Sequence, residues 1–529
     1  MTPRLAALTL CLAVGAPAAS PDDGALLREH VRKTYPSLAY VERYRRSFPA
    51  EIQGDDSLWS ATKSAPRVRS ASDAVRVLAS LQDHHVSLSA ATGTRSESLG
   101  VLFRTATDGS MVVWRVFDRA ISGLTQGDVV VAVDGMPTAR WLTRVSPVTF
   151  GGNRRSRVAK AALELGLGTT VAHATAKLAA SVTLKVKTGA SAPRNVVLPY
   201  APMSEERAAA MTAAINSPDL PRFMDAGGTR IGSVRIGAFA PQYDAAFVAA
   251  SEEAEKVPGT SEDQAMIAGF CAVVKAFIAD VDTIAGHSDV LVLDLRGNFG
   301  GFGREARLLG AALSFRPLPK SFDVFPTSRR GSLELREEPD DPACGHVATS
   351  RPMIVLTDAG TRSSGELMAA WLWHSGAIVV GERTIGAGGG LEFNSEGFTL
   401  PSSGLKVRMS ENFTVFDGSG TLANGEFSES RLVDLVSQNG FAPDRARPFA
   451  IQAAGLRPDL DSPTTIDDLR DGGLAQIQRA VLLLRRQGRL PDVRPRPISR
   501  QRDRDPRAWL AVESASSRPA QRCTVPIRR

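Results

Sequence analysis

The sequence predicts an α/β protein, and two observations carry that prediction. Short apolar, β-branched runs alternate with longer stretches of helix formers, and glycine-rich turns sit where one gives way to the other. Val290-Leu291-Val292-Leu293-Asp294-Leu295 is apolar almost throughout, as a strand covered on both faces must be, and residues 305–312 read as the helix that follows. Residues 353–356, a polar turn around Ser363, a helix through Leu367-Met368-Ala369-Ala370-Trp371-Leu372-Trp373 that stops at Gly376, and a strand at 377–381 repeat the unit. Upstream, a strand begins at 229–239, and 262–284 is a helix with Ala265, Phe270, Val274 and Phe277 among the residues of its apolar face.

At 529 residues the chain exceeds what one hydrophobic core serves, so several domains are expected. Its ordinary share of hydrophobic residues, 43%, excludes wholesale disorder. Residues 1–18 read as a secretory signal peptide: Met1-Thr2-Pro3-Arg4 is a basic start, 5–15 is an apolar run too short to span a bilayer, and Ala16-Pro17-Ala18 offers small residues for cleavage. Cys11 lies inside the apolar run, which argues against lipid attachment there. No later segment reaches membrane-spanning length, so the mature chain is expected to be soluble and exported, periplasmic or extracellular. Cys271, Cys344 and Cys523 remain after processing, and their odd number and spacing support neither a zinc site nor a disulfide framework.

The net charge of +7 is concentrated at the end of the basic segment 491–529: from Arg494 to Arg529 ten arginines face Asp503, Asp505 and Glu513. Interleaved prolines and the lack of periodicity mark this segment as a basic, disordered tail. The remainder is near neutral, and nothing in it suggests a nucleic-acid partner, a nucleotide, a cofactor or a metal.

Residues 19–92 read as an N-terminal helical region, with helices at 25–44 and 71–81. It ends in Asp83-His84-His85, a histidine pair in a chain with seven histidines. Residues 93–200 are β-rich and punctuated by turns. Within them Gly123-Leu124-Thr125-Gln126-Gly127-Asp128-Val129-Val130-Val131-Ala132-Val133-Asp134-Gly135 resembles the signature of PDZ domains. That resemblance implies capture of an extended C-terminal segment by strand addition, with Leu99-Gly100-Val101 as the loop that holds the terminal carboxylate. Residues 201–490 then hold the α/β core.

Thr361-Arg362-Ser363-Ser364-Gly365-Glu366 lies between a strand and a helix. A hydroxyl there stands beside free backbone N–H groups and the positive end of the helix dipole, where an oxyanion finds donors. The same residues also read as an ordinary N-cap, with Glu366 completing a capping box around Ser363. Local sequence leaves both readings open.

Seven patches in chain order resemble the tail-specific, or C-terminal processing, serine peptidases, in the branch that includes the tricorn core and the interphotoreceptor retinoid-binding protein modules. They are Asp83-His84-His85, the PDZ-like stretch, Ile231-Gly232-Ser233-Val234-Arg235-Ile236, Leu293-Asp294-Leu295-Arg296-Gly297-Asn298-Phe299-Gly300-Gly301, the Ser363 turn, Val380-Gly381-Glu382-Arg383-Thr384-Ile385-Gly386, and Gly455-Leu456-Arg457-Pro458-Asp459. The resemblance implies a crotonase/ClpP-like catalytic core with the N-terminal helical region and an inserted β-rich PDZ-like domain. It makes Ser363 the nucleophile, and it puts the oxyanion hole at the Ser364 N–H and the Gly300-Gly301 turn. Glycines there allow close backbone approach. Asp294 and Arg296 read as a structural pair at the strand end.

Many members of that family take their base from a lysine in a Gly-Glu-x-Thr-x-Gly-Lys pattern. Here Gly381-Glu382-Arg383-Thr384-Ile385-Gly386 runs into Ala387, and Lys406, the lysine after Ser363, sits in an ordinary strand. The tricorn-like branch uses a histidine instead, which the resemblance places at His85; neutral imidazole is available near neutral pH. Two positions depart from the branch pattern. His84 stands where a serine precedes the base, and Gln452 stands where a glutamate is found; an amide orients an imidazole but does not balance imidazolium as a carboxylate does. Asp83 and Glu426 are the candidate acids for that task.

The sequence therefore predicts an exported serine endopeptidase that cleaves unstructured or C-terminally exposed protein segments by a Ser-His acyl-enzyme mechanism, without cofactor or metal. The alternative is a weakened or inactive peptidase scaffold that binds peptides or apolar ligands.

Overall fold

The computed structural model describes residues 21–490 apart from 48–66, 91–96, 122, 169–178, 315, 330, 340–342, 349, 391–396 and 438–443. The signal peptide expected at 1–18 and the basic tail expected at 491–529 lie outside the described residues.

Six strands form a central sheet in the order Phe223–Ala226, Thr229–Arg235, Val290–Asp294, Met353–Thr357, Ile378–Gly381 and Leu460–Asp461. The first pair is antiparallel and the others are parallel. Side chains alternate across it. Leu291, Leu293, Met353, Val355 and Val379 enter one core with the helices Glu262–Gly286, Gly303–Leu313 and Ser364–His374, while Val290, Val292, Ile354, Leu356 and Val380 enter a second with Leu474–Arg486. Helices on both faces are why these strands read as unbroken apolar runs. The carboxyl ends of Val290–Asp294 and Met353–Thr357 then open into the Gly300 and Ser363 turns, side by side, where ligands gather in open α/β sheets.

Two smaller sheets were not legible in the sequence. One is antiparallel, with Gly389–Gly390, Asn412–Asp417, Lys320–Pro326, Ser332–Glu337 and Gly425–Ser428 in that order. The other pairs Ser87–Ala90 with Leu405–Arg408 and the latter with Phe398–Thr399. The register sets Ser87 opposite Arg408 and Ala90 opposite Leu405, so the segment just before Ser87 is anchored to the core.

Other boundaries moved. The helix expected at 25–44 is two helices, Pro21–Thr34 and Leu38–Ser47, because Pro36 lacks an N–H and restricts the residue before it. The region expected to be β-rich has a six-stranded antiparallel sheet, Val101–Thr105, Met111–Val116, Val129–Val133, Ser181–Lys187 and Arg194–Pro199 in that order, with Met136–Pro137 paired to Val129–Val133. It also holds the helices Thr138–Val145 and Arg154–Leu167. The second begins at Asn153, whose side chain accepts the Ser156 N–H, and ends at Gly168 in the left-handed conformation. The cysteine expectation is also corrected: Cys271 and Cys344 form a disulfide. They lie 73 residues apart in sequence, and the fold rather than any motif spacing brings them together.

Candidate active site

Ser363 has φ 51° and ψ −128°, a backbone conformation that a side-chain-bearing residue adopts only when its surroundings enforce it. Glu366 supplies much of that enforcement. Its buried carboxylate accepts N–H groups from Ser363 at 3.1 Å, Gly386 at 2.8 Å and Ala387 at 2.7 Å, and the Thr384 hydroxyl at 2.5 Å. Burial pushes this carboxyl up to about 7 against the opposing pull of its four donors. The capping box read from the sequence is present, and the two readings of this turn coexist: the Glu366 N–H also reaches the Ser363 carbonyl oxygen at 2.8 Å, and the Ser363 hydroxyl contacts His85.

His85 Nε2 lies 3.2 Å from Ser363 Oγ. The histidine is delivered by the turn before Ser87–Ala90, and Asp83 shapes that turn by accepting the His85 N–H at 2.9 Å and the Ser410 N–H at 3.2 Å. Asp83 Oδ1 also stands 3.8 Å from His85 Nδ1, which makes no hydrogen bond. Burial holds His85 below the ordinary imidazole value; the Asp83 charge opposes this, and Lys160 and Arg362 reinforce it. A neutral imidazole facing a hydroxyl is the form that accepts its proton.

His84 points its chemistry elsewhere. Its ring packs edge-on to His85 with centroids 5.6 Å apart, and its carbonyl accepts the Lys160 ammonium at 2.9 Å. Burial, with Lys160, Arg362 and His85 nearby, holds it well below the ordinary imidazole value. Gln452 is buried, but its amide donates to the Tyr35 hydroxyl at 3.2 Å and makes no hydrogen bond to His85. Glu426 is committed to Ser332 and Arg329 at the edge of the second sheet. Of the two acids weighed, the one beside the imidazole is therefore Asp83. Lys406 lies in Leu405–Arg408 opposite Ser89.

The Gly300-Gly301 turn meets Ser363 directly. A Cβ on Gly300 would come within 2.6 Å of the Ser363 Cβ, so only glycine permits this approach. The Gly300 N–H is taken by Asn298 Oδ1 at 2.7 Å. The N–H groups of Gly301 and Ser364 donate to no group among the described residues, and Gly301 is exposed. The Ser364 hydroxyl holds the Gly301 carbonyl at 2.7 Å, which ties the turn to the first turn of the Ser364–His374 helix. These two N–H groups beside a hydroxyl in contact with an imidazole are the parts that acyl transfer requires.

Asp294 and Arg296 pair as the sequence reading expected, Nε to Oδ1 at 2.8 Å, within a buried network that includes Arg235. The Leu99-Gly100-Val101 loop is buried. The Leu99 N–H goes to the Gly166 carbonyl at 2.8 Å, and a Cβ on Gly166 would sit 2.3 Å from the Val101 oxygen. The C-terminal turn of the Arg154–Leu167 helix thus lies against the edge where an added strand would pair.

Two groups escaped the sequence reading. Lys160 lies on a helix missed altogether, and Glu366 read only as a helix opener. The Val380–Gly386 and Gly455–Asp459 patches supply the backbone around Glu366: the Leu456 N–H reaches Thr384 Oγ1 at 2.7 Å, and the Ala453 N–H reaches the Gly386 oxygen at 2.8 Å. Among the described residues no cluster of His, Cys, Asp and Glu side chains is arranged to hold a metal.

Residues 264–420, which contain both turns and Glu366, match the family model of Peptidase family S41. Over those residues the chain is similar to peptidase family S41. A carboxyl-terminal-processing protease of Picosynechococcus sp. is 29% identical over 200 residues, 36% of this chain and 41% of that protein. The chloroplastic carboxyl-terminal-processing peptidase 2 of Arabidopsis thaliana is 30% identical over 173 residues, 32% of this chain and 28% of that protein. These matches span less than half the length of the curated relatives. A crystal structure of mature CPAF superposes with a TM-score of 0.52 at 16% identity, covering 88% of this chain and 96% of that one. At that identity the likeness is one of fold. No described helix is long and apolar enough to cross a membrane.

Proposed function

We propose that the protein is an exported serine endopeptidase that cleaves unstructured or C-terminally exposed segments of other proteins by a Ser-His acyl-enzyme route. The observation that carries this reading is the 3.2 Å approach of His85 Nε2 to Ser363 Oγ beside two undonated N–H groups. Ser363 Oγ attacks the scissile carbonyl while its proton passes to His85 Nε2. The carbonyl oxygen becomes an oxyanion on the Gly301 and Ser364 N–H groups. His85 then gives the proton to the departing amine, the acyl group stays on Ser363, and a water activated by the same imidazole releases the acid. Asp83 favours the imidazolium in the charged steps, and the dry surroundings of His85 keep the resting base neutral.

The core is read as crotonase/ClpP-like, and the inserted domain as PDZ-like. The glycine and aspartate spacing of 123–135 and the six-stranded antiparallel sheet support the second reading. Capture of a chain terminus at Leu99-Gly100-Val101 requires the end of the Arg154–Leu167 helix to leave the Val101 edge. Export rests on residues 1–18. The rival reading, peptide capture without turnover, draws on the absence of a hydrogen bond to His85 Nδ1.

Turnover of a permanently unfolded protein such as reduced, alkylated casein tests the proposal. Ser363→Ala lowers it by at least about 10³-fold with an unchanged circular dichroism spectrum. Unchanged turnover in that variant refutes the assignment.

A further inference from the structure

Arg362 immediately precedes Ser363 and is mostly withdrawn from solvent. Its Nε donates to the Phe299 carbonyl at 3.0 Å and its guanidinium stacks over the Phe299 ring, 4.2 Å from the centroid. Among the described residues it makes no other side-chain hydrogen bond and no ion pair, so the two Nη groups are left without an acceptor. The residue is partly open, so these groups can take an acceptor from outside the protein. Its surroundings sharpen the point. Arg362 lines a recess between the inserted domain and the core together with Arg104, Arg155, Lys160, Asp358 and Glu382.

The other cations there are matched. Arg104 pairs with Asp358, Arg155 with Glu382 at 3.2 Å, and Lys160 with Glu164 at 3.7 Å. Arg362 is the unmatched charge, and the carboxyl that acts on it, Glu164, already faces Lys160. The recess has about 30 Å³ of free volume, which holds roughly two waters. That leaves room for the two oxygens of one carboxylate.

We infer that Arg362, next in sequence to the nucleophile, is a specificity residue that binds a carboxylate of the substrate in this recess, through the two Nη groups that the protein leaves open. The fork of Arg suits bidentate carboxylate recognition, and the Phe299 stack fixes its plane. The inference rests on the proposed peptidase reading for the word substrate, but the binding it describes does not need turnover. The carboxylate has two possible sources, the free C-terminus of a chain or an acidic side chain within it.

The test is fluorescence anisotropy on Ser363→Ala protein with four labelled peptides of one unstructured sequence: free acid, C-terminal amide, and two amides that differ by Glu or Gln at an internal position. We expect one carboxylate-bearing peptide to bind at least about tenfold tighter than its neutral partner. Which pair shows the difference identifies the source. Arg362→Met on the same background removes the preference, and Arg362→Lys restores only part of it. Equal binding of all four peptides, or no binding, overturns the inference. So does an Arg362→Met variant that weakens all four alike, since that is the signature of a residue that merely holds Phe299. Casein turnover by the wild type is scored separately, so a failed peptidase reading is distinguishable from a failed carboxylate reading.

Discussion

The imidazole Nε2 of His85 lies 3.2 Å from the hydroxyl of Ser363 although 278 residues separate the two in sequence. The central sheet and the Ser87–Ala90 strand arrive from opposite ends of the chain, and their turns meet at this contact. The consequences can be measured one residue at a time.

The pH profile should carry the mark of a buried base. His85 is held below its ordinary value of 6.5 by burial, so the neutral form persists as pH falls through that value. The acid limb of kcat/KM is expected to inflect below 6.5. Stability follows the same sign: below 6.5 the unfolded chain takes up a proton at this position that the folded chain does not, so folding weakens as pH falls through the window between the two values. An acid limb above 6.5 contradicts the assignment of the base.

Lys160→Met removes the donor that holds the His84 carbonyl and a charge that depresses His85. We expect kcat/KM to fall by about tenfold and the acid limb to move upward toward the ordinary imidazole value. A loss of rate with no movement of the limb would mean that Lys160 only supports the fold.

Gly301→Ala places a Cβ 1.9 Å from the Phe239 oxygen at a φ of +130°. The turn cannot keep its shape, and its N–H leaves the position where an oxyanion forms. kcat should drop by about 10²-fold with KM little changed. A variant as active as the wild type removes this turn from the mechanism.

Glu366→Ala orphans the N–H groups of Ser363, Gly386 and Ala387 in a dry interior. The expected cost is about 3 kcal/mol of stability, read as a lower urea midpoint. An unmoved midpoint would show that these donors find other partners.

Much of this was legible because the parallel strands are buried on both faces and the turns between them are glycine-rich. Val290–Asp294 and Met353–Thr357 announced themselves by apolar runs, and Ser363, Gly300 and His85 by the motifs around them. The Arg154–Leu167 helix did not. Its lysine, arginines and alanines give no clean apolar stripe, because Lys160 and Glu164 turn inward to each other instead of toward water. The Gly389–Gly390 and Gly425–Ser428 strands are too short and polar to show a period. Gln452 illustrates the opposite error: a matching position in a motif suggested contact with the imidazole, and packing gave its amide to Tyr35. The disulfide between Cys271 and Cys344 is likewise a product of tertiary structure and has no sequence signature.

The central claim is that His85 activates Ser363. Reaction with a fluorophosphonate at neutral pH, read by mass spectrometry of the intact protein and its peptides, tests it most directly. We expect stoichiometric labelling at Ser363 in the wild type, none in Ser363→Ala, and a labelling rate at least about 10³-fold lower in His85→Ala. A wild-type protein that does not label, or a His85→Ala protein that labels as fast as the wild type, would contradict it.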